Sequence, residues 1–151
     1  GINGKMNEFQ AAMGLLNLKL IASEQEKRRA VGNAYRSALS DIEGLSFFNL
    51  PQNVKNSEQY LVIRVDEDIL PGMRDKLYFR LKDYNVHTRR YFYPLCSEAE
   101  CYRSLPSSKP SSLPIASRVS REVLALPYYG DLGAFNAYQI SELICGIISE
   151  N

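Results

Sequence analysis

The densest run of chemically capable side chains is residues 85–94, Asn-Val-His-Thr-Arg-Arg-Tyr-Phe-Tyr-Pro. On an extended chain Arg89 and Arg90 point to opposite sides. One would face solvent, and the other could grip a phosphate or carboxylate through two parallel hydrogen bonds. Tyr91, Phe92 and Tyr93 would add aromatic walls for a ring, with hydroxyl handles. The same residues equally suit an edge strand, its charges discouraging aggregation and its rings packed in the core. His87 is the single histidine. It has no evident Ser, Cys or carboxylate companions and reads as a surface residue before a base.

Residues 1–6 and 126–130 are the other candidates. Gly1, Asn3 and Gly4 could present backbone and amide donors to an anion, and Lys5 adds a positive charge. The plainer reading is a helix lead-in, because Gly and Asn suit any such turn. Residues 126–130, Leu-Pro-Tyr-Tyr-Gly, read as a turn that packs its rings on a sheet. A zinc site is not expected from one His and three cysteines, Cys96, Cys101 and Cys145, with no CxxC pair.

Composition limits the partners. A formal net charge of +1 gives no electrostatic case for nucleic acid or an anionic membrane. No apolar run approaches a bilayer span. An odd cysteine count suits a reducing compartment, so a cytoplasmic location is expected. At 151 residues the chain is one domain's worth, able to bury roughly two-thirds of its unfolded surface.

The positioning elements follow from periodicity. A long helix is expected over residues 8–41, with Asn7 and Gln10 as a capping box and Gly44 as its stop. Its first half carries two apolar stripes, one of Phe9, Ala12, Met13, Leu16 and Leu20, the other of Ala11, Leu15, Leu18 and Ala22. Such a helix is buried on several sides, more than one small domain covers, so those side chains should be exposed or buried in an oligomer contact when the chain stands alone. After the polar stretch 24–29, Val31, Tyr35, Ala38, Leu39 and Ile42 resume a single stripe. Strands are expected at 45–49, 60–65, 86–92 and 123–126, with Leu61, Ile63 and Val65 on one face. Helices are expected around 73–84, 115–122 and 135–149, and residues 104–114 read as a Ser/Pro-rich loop. The fold class is α+β: a small, largely antiparallel sheet with helices on one side, preceded by a long helix.

Three blocks resemble the DegT/DnrJ/EryC1/StrS family of sugar aminotransferases. The first is Gly1-Ile2-Asn3-Gly4-Lys5-Met6-Asn7-Glu8-Phe9-Gln10-Ala11-Ala12-Met13-Gly14-Leu15. The second is NVHTRRYFYPL, residues 85–95, and the third is residues 113–116 with 123–128. They occur in the family's order and span nearly the whole chain.

The resemblance implies an aspartate-aminotransferase type I fold, pyridoxal 5'-phosphate as cofactor, and transfer of an amino group from an amino acid, commonly glutamate, to a keto-sugar nucleotide. It implies a homodimer with the cofactor at its interface. The chain would be the C-terminal portion: residues 1–43 an interdomain helix with a cofactor- and dimer-contacting lead-in, residues 44–151 the small α+β domain. The large domain, with the lysine that holds the cofactor, would lie upstream, so no catalytic residue is assigned here and the chain alone is expected to be inactive. Asn3 matches the family Asn that reaches the cofactor phosphate of the neighbouring subunit. Lys5 matches a basic position near the nucleotide sugar, and Arg90 and Tyr91 match the strand bordering the sugar pocket. Relatives often place a His shortly after that Tyr, where this chain has Phe92 and Tyr93. The spelling of the first two blocks is most similar to enzymes acting on dTDP-4-keto-6-deoxyglucose. A pyridoxamine-phosphate-dependent sugar dehydratase, with His replacing the lysine, is the alternative within the family. A non-catalytic α+β binding module is the alternative outside it.

Overall fold

The computed structural model describes residues 4–150. Helix α1 (Glu8–Leu39) opens on the expected capping box: Gln10 N–H donates to Asn7 Oδ1 at 2.9 Å, and Asn7 N–H donates to Gln10 Oε1 at 3.0 Å. It ends at Leu39 with Ser40 as its C-cap, short of the expected residue 41. Gly44 is not its stop. With φ +86° it carries the chain into the sheet, where its carbonyl accepts from Asp66 N–H at 2.8 Å. A Cβ there would stand 2.8 Å from Leu70, so both the conformation and the space demand glycine.

The sheet has three short strands, β1 (Leu45–Phe47), β2 (Val62–Val65) and β3 (Val123–Ala125), in that order and antiparallel throughout. Ile63 lies opposite Phe47 on one side and Leu124 on the other. Leu61, Ile63 and Val65 are buried, as their alternation predicts, while Val62 and Arg64 are only partly covered. Helices α2 (Met73–Asp83), α3 (Pro114–Glu122) and α4 (Gly133–Ser149) complete the chain. α3 starts on Pro114, whose fixed φ suits a first helical turn, and runs directly into β3. The Ser/Pro-rich segment holds two 3₁₀ turns, Pro106–Ser108 and Pro110–Ser112, each begun by a proline.

One hydrophobic core joins the buried sheet face to three helices. α1 contributes Val31, Tyr35 and Leu39, α2 contributes Met73, Leu77 and Leu81, and α4 contributes Ala137, Ile140, Ile144 and Ile147. Only the C-terminal half of α1 takes part. In the N-terminal half Phe9 is 85% exposed, and Met13, Leu15, Leu16, Leu18 and Leu20 are exposed as well. Both apolar stripes therefore lie open to solvent, as their breadth predicts for the chain alone. No helix among the described residues is long and apolar enough to cross a membrane.

The expected strand at 86–92 does not form. Arg89 makes a single bridge to Ala125, its N–H donating to Ala125 O at 2.9 Å and its carbonyl accepting from Ala125 N–H at 2.7 Å. Beyond it the chain turns, with Tyr93 N–H donating to Arg90 O at 2.8 Å. Pairing stops where the chain turns off the sheet, and the Arg90 guanidinium reaches a carboxylate on α2.

Candidate functional site

The site is built around that turn. Arg90 Nη1 donates to Asp75 Oδ1 at 3.0 Å. Its guanidinium carbon stands 4.2 Å from the centre of the Tyr78 ring and 5.1 Å from that of Tyr93. Cations in such positions are attracted by the negative ring faces. Asp75 Oδ1 also pairs with Arg74 Nε at 3.0 Å. Arg74 is 2% exposed, donates from Nη1 to Ser120 O at 3.1 Å and faces the other side of the site's aromatics, 5.0 Å from the Tyr93 ring. Burial pushes the Arg74 guanidinium below its ordinary pKa, against the pull of Asp75. Lys82 lies 4.0 Å over the Tyr78 ring. Hydrogen bonding to Lys82, with the Arg90 charge in support, outweighs desolvation and holds the Tyr78 hydroxyl below its usual value.

Tyr91, Phe92 and Tyr93 present their rings outward. Tyr91 stacks on Phe92 at 5.0 Å between centroids and meets Tyr60 edge-on at 5.4 Å. Phe92 is 69% exposed, which exceeds what a core ring would show. The reading of these aromatics as core packing therefore fails, and the open aromatic wall stands. Two cavities flank it. One, of about 430 Å³, is apolar and runs under Tyr91 and Phe92 to Leu113, Ala116, Val119 and Val123. The other, of about 320 Å³, lies among Tyr78, Arg89, Arg90, Tyr91, Phe92 and Tyr93. The second combines guanidinium groups with ring faces, a lining able to take an anionic group attached to a ring.

The sequence-predicted residues separate. Arg90 and Tyr91 stand together here. Lys5 is exposed ahead of α1 and lines neither cavity. Asn3 lies outside the described residues. His87 is exposed, with a ring nitrogen 3.1 Å from Asn85 Oδ1. Tyr128, in the third candidate segment, is structural: it donates to Glu58 Oε2 and packs against Gly32 of α1, rather than lying on the sheet. Asp75, Tyr78 and Lys82 went unread in the sequence, although their spacing of three and four residues marks one helical face. Among the described residues no cluster of His, Cys, Asp and Glu could hold a metal ion, and the three cysteines are free.

Comparison with known proteins gives this arrangement a context. A family model described as the DegT/DnrJ/EryC1/StrS aminotransferase family matches residues 1–144. The chain is 39% identical over 146 residues to the dTDP-4-amino-4,6-dideoxy-D-glucose transaminase of Escherichia coli, covering 97% of this chain and 39% of that protein. It is 34% identical to the protein of the same name from Shigella dysenteriae, covering 99% and 39%. The crystal structure of DesI in the presence of its TDP-sugar product superposes with a TM-score of 0.86 at 33% identity, over 98% of this chain and 37% of that one. The chain thus spans about two-fifths of the length of the relatives it matches.

Proposed function

The chain belongs to the DegT/DnrJ/EryC1/StrS aminotransferase family, and from that we propose that it is the C-terminal portion of a pyridoxal-phosphate-dependent enzyme that transfers an amino group from glutamate to a keto-deoxysugar nucleotide. The observation that carries the substrate class is the cavity where guanidinium groups meet outward-facing rings. A nucleotide sugar offers that lining its diphosphate and its rings together. Tyr91 and its neighbours would form the wall of the sugar nucleotide's pocket, the segment carrying Arg90 its border, and Lys5 a further positive charge near it.

The cofactor is a matter for the intact protein. When bound, it supplies the electron sink for moving an amino group. Asn3, which the family resemblance directs to its phosphate, lies outside the described residues. Gly4 and Lys5, the described residues beside it, are exposed. No chemical step is assigned to the described residues. What they do is bind, orient and wall the sugar nucleotide. The exposed stripes of α1 fit a homodimer or a larger domain packed on them.

The test is incubation of the full-length protein with glutamate and dTDP-4-keto-6-deoxyglucose. The expected result is an amino-sugar nucleotide formed in step with 2-oxoglutarate. A product that has lost a hydroxyl without gaining nitrogen would overturn the reading in favour of dehydration, and no product at all would overturn it outright.

A further inference from the structure

We propose that the two adjacent arginines divide their labour: Arg90 positions the aromatic wall from behind, and Arg89 is the guanidinium that meets the anionic group of the substrate. This rests on the reading of a nucleotide sugar as that substrate. It reverses the simplest expectation, in which the more enclosed arginine is the clamp.

Arg90 is already committed. Its charge is met by Asp75, and its flat faces lie against Tyr78 and Tyr93. Turning it toward a phosphate would uncover both rings and leave Asp75 to Arg74 alone. Arg74 cannot follow, because it is sealed beneath the surface and donates to the Ser120 carbonyl. The trio Arg74–Asp75–Arg90 therefore ties α2 to the turn and, through Ser120, to α3. Tyr93 lies between the two guanidinium groups. That tie fixes where Tyr91 and Phe92 stand.

Arg89 is placed differently. Its backbone is held to Ala125 in both directions, at 2.9 and 2.7 Å, so its Cα is anchored on the sheet. Its side chain is exposed, lines the same cavity and has no hydrogen bond or ion pair among the described residues. A free guanidinium on a fixed backbone, beside two open rings, is the group able to pair with a diphosphate without dismantling anything.

Three substitutions in the full-length protein separate the roles: Arg89→Gln, Arg90→Gln and Asp75→Asn, read by binding of dTDP alone and by KM and kcat with the keto-sugar nucleotide. Arg89→Gln is expected to weaken dTDP about tenfold and to flatten the salt dependence of its binding. Arg90→Gln and Asp75→Asn are expected to raise KM for the sugar nucleotide together, about threefold to tenfold, with kcat and KM for glutamate little changed. The double variant should be no worse than either single one, and Arg90→Lys should recover part of the loss. The proposal is overturned if Asp75→Asn leaves dTDP binding unchanged or tightens it while Arg90→Gln abolishes it and Arg89→Gln does not, since Arg90 would then be the clamp. Asp75→Asn is isosteric at a half-exposed carboxylate, so it keeps the comparison decisive should Arg90→Gln fail to fold. Binding of dTDP needs no turnover. An inactive wild-type enzyme would thus sink the proposed reaction while leaving the arginine comparison readable.

Discussion

The most consequential single residue outside the site is Glu122. Its carboxyl is 1% exposed at the junction of α3 and β3. Arg64 Nε reaches it at 2.6 Å and Arg118 Nε at 2.8 Å. Burial by itself would push the carboxyl up. The two guanidinium hydrogen bonds outweigh that and hold it below the usual carboxylate range. The unfolded chain therefore takes up this proton at a higher pH than the folded one. The contribution is complete above the ordinary carboxylate pKa and is lost as pH falls through the lower, folded value. Urea unfolding should accordingly show stability falling with acidification below about pH 5. Glu122→Gln should flatten that slope and cost about 2 kcal/mol at neutral pH, from one weakened charged bond and one lost. An unchanged acid slope in that variant would show that other carboxylates carry it. Tyr128 makes a second, opposite case. Burial first, and then its bond to Glu58, raise its hydroxyl above the ordinary value, so its contribution is present at neutral pH and is lost only in strong alkali. Tyr128→Phe leaves the Glu58 carboxylate one donor short, and a loss of about 1–2 kcal/mol in thermal or urea unfolding is expected.

At the level of elements, the critical contact is between α1 and the segment that leads into α4. Gly130 sits so close to α1 that a Cβ would stand 2.6 Å from Glu24 Oε2 and 2.9 Å from Lys27 Cβ. The Glu24 carboxylate can swing aside. Lys27 Cβ cannot, being fixed to the helix backbone. Gly130→Ala is therefore expected to cost about 1–3 kcal/mol, read as a lowered urea midpoint with unchanged slope. The elements also divide by how legible they were. α1, α2 and α4 were readable because helices announce themselves locally, through the capping box of α1 and the apolar stripes of all three. The alternation of Leu61, Ile63 and Val65 gave the central strand its faces in the same way. Residues 86–92 carry an equally good strand pattern, yet only Arg89 pairs. Whether a strand forms depends on the partner edge, which here is the three-residue β3, and on the course of the chain beyond it, which here turns away after Arg89. Neither is a local property. The site was half legible for the same reason. Arg90 and Tyr91 stand in one visible run, but Asp75, which decides what Arg90 is free to do, comes from another element fifteen residues away.

For the whole molecule, the lopsided use of α1 is the governing fact. Its second half anchors the core from Val31 onward, while Phe9, Leu16 and Leu20 of the first half face water. Monomeric proteins rarely leave so continuous an apolar stripe uncovered. The chain spans 39% of the length of its relatives, so in a protein of their size further chain or a second subunit would be available to cover it. Residues 1–151 purified alone should then self-associate and bind an apolar dye such as ANS. Replacing Phe9, Leu16 and Leu20 together by Gln, a helix former comparable to Leu, should abolish both behaviours. The same change should move the unfolding free energy of the isolated chain by only about 0.5 kcal/mol, because none of the three side chains touches the core. In the full-length protein it should do the reverse, lowering the melting temperature and dissociating the assembly, since there the stripe would be interior. A wild-type chain of residues 1–151 that is monomeric and silent toward the dye would contradict this. So would a full-length triple variant of unchanged stability and size, because the open half of α1 would then be surface in both settings.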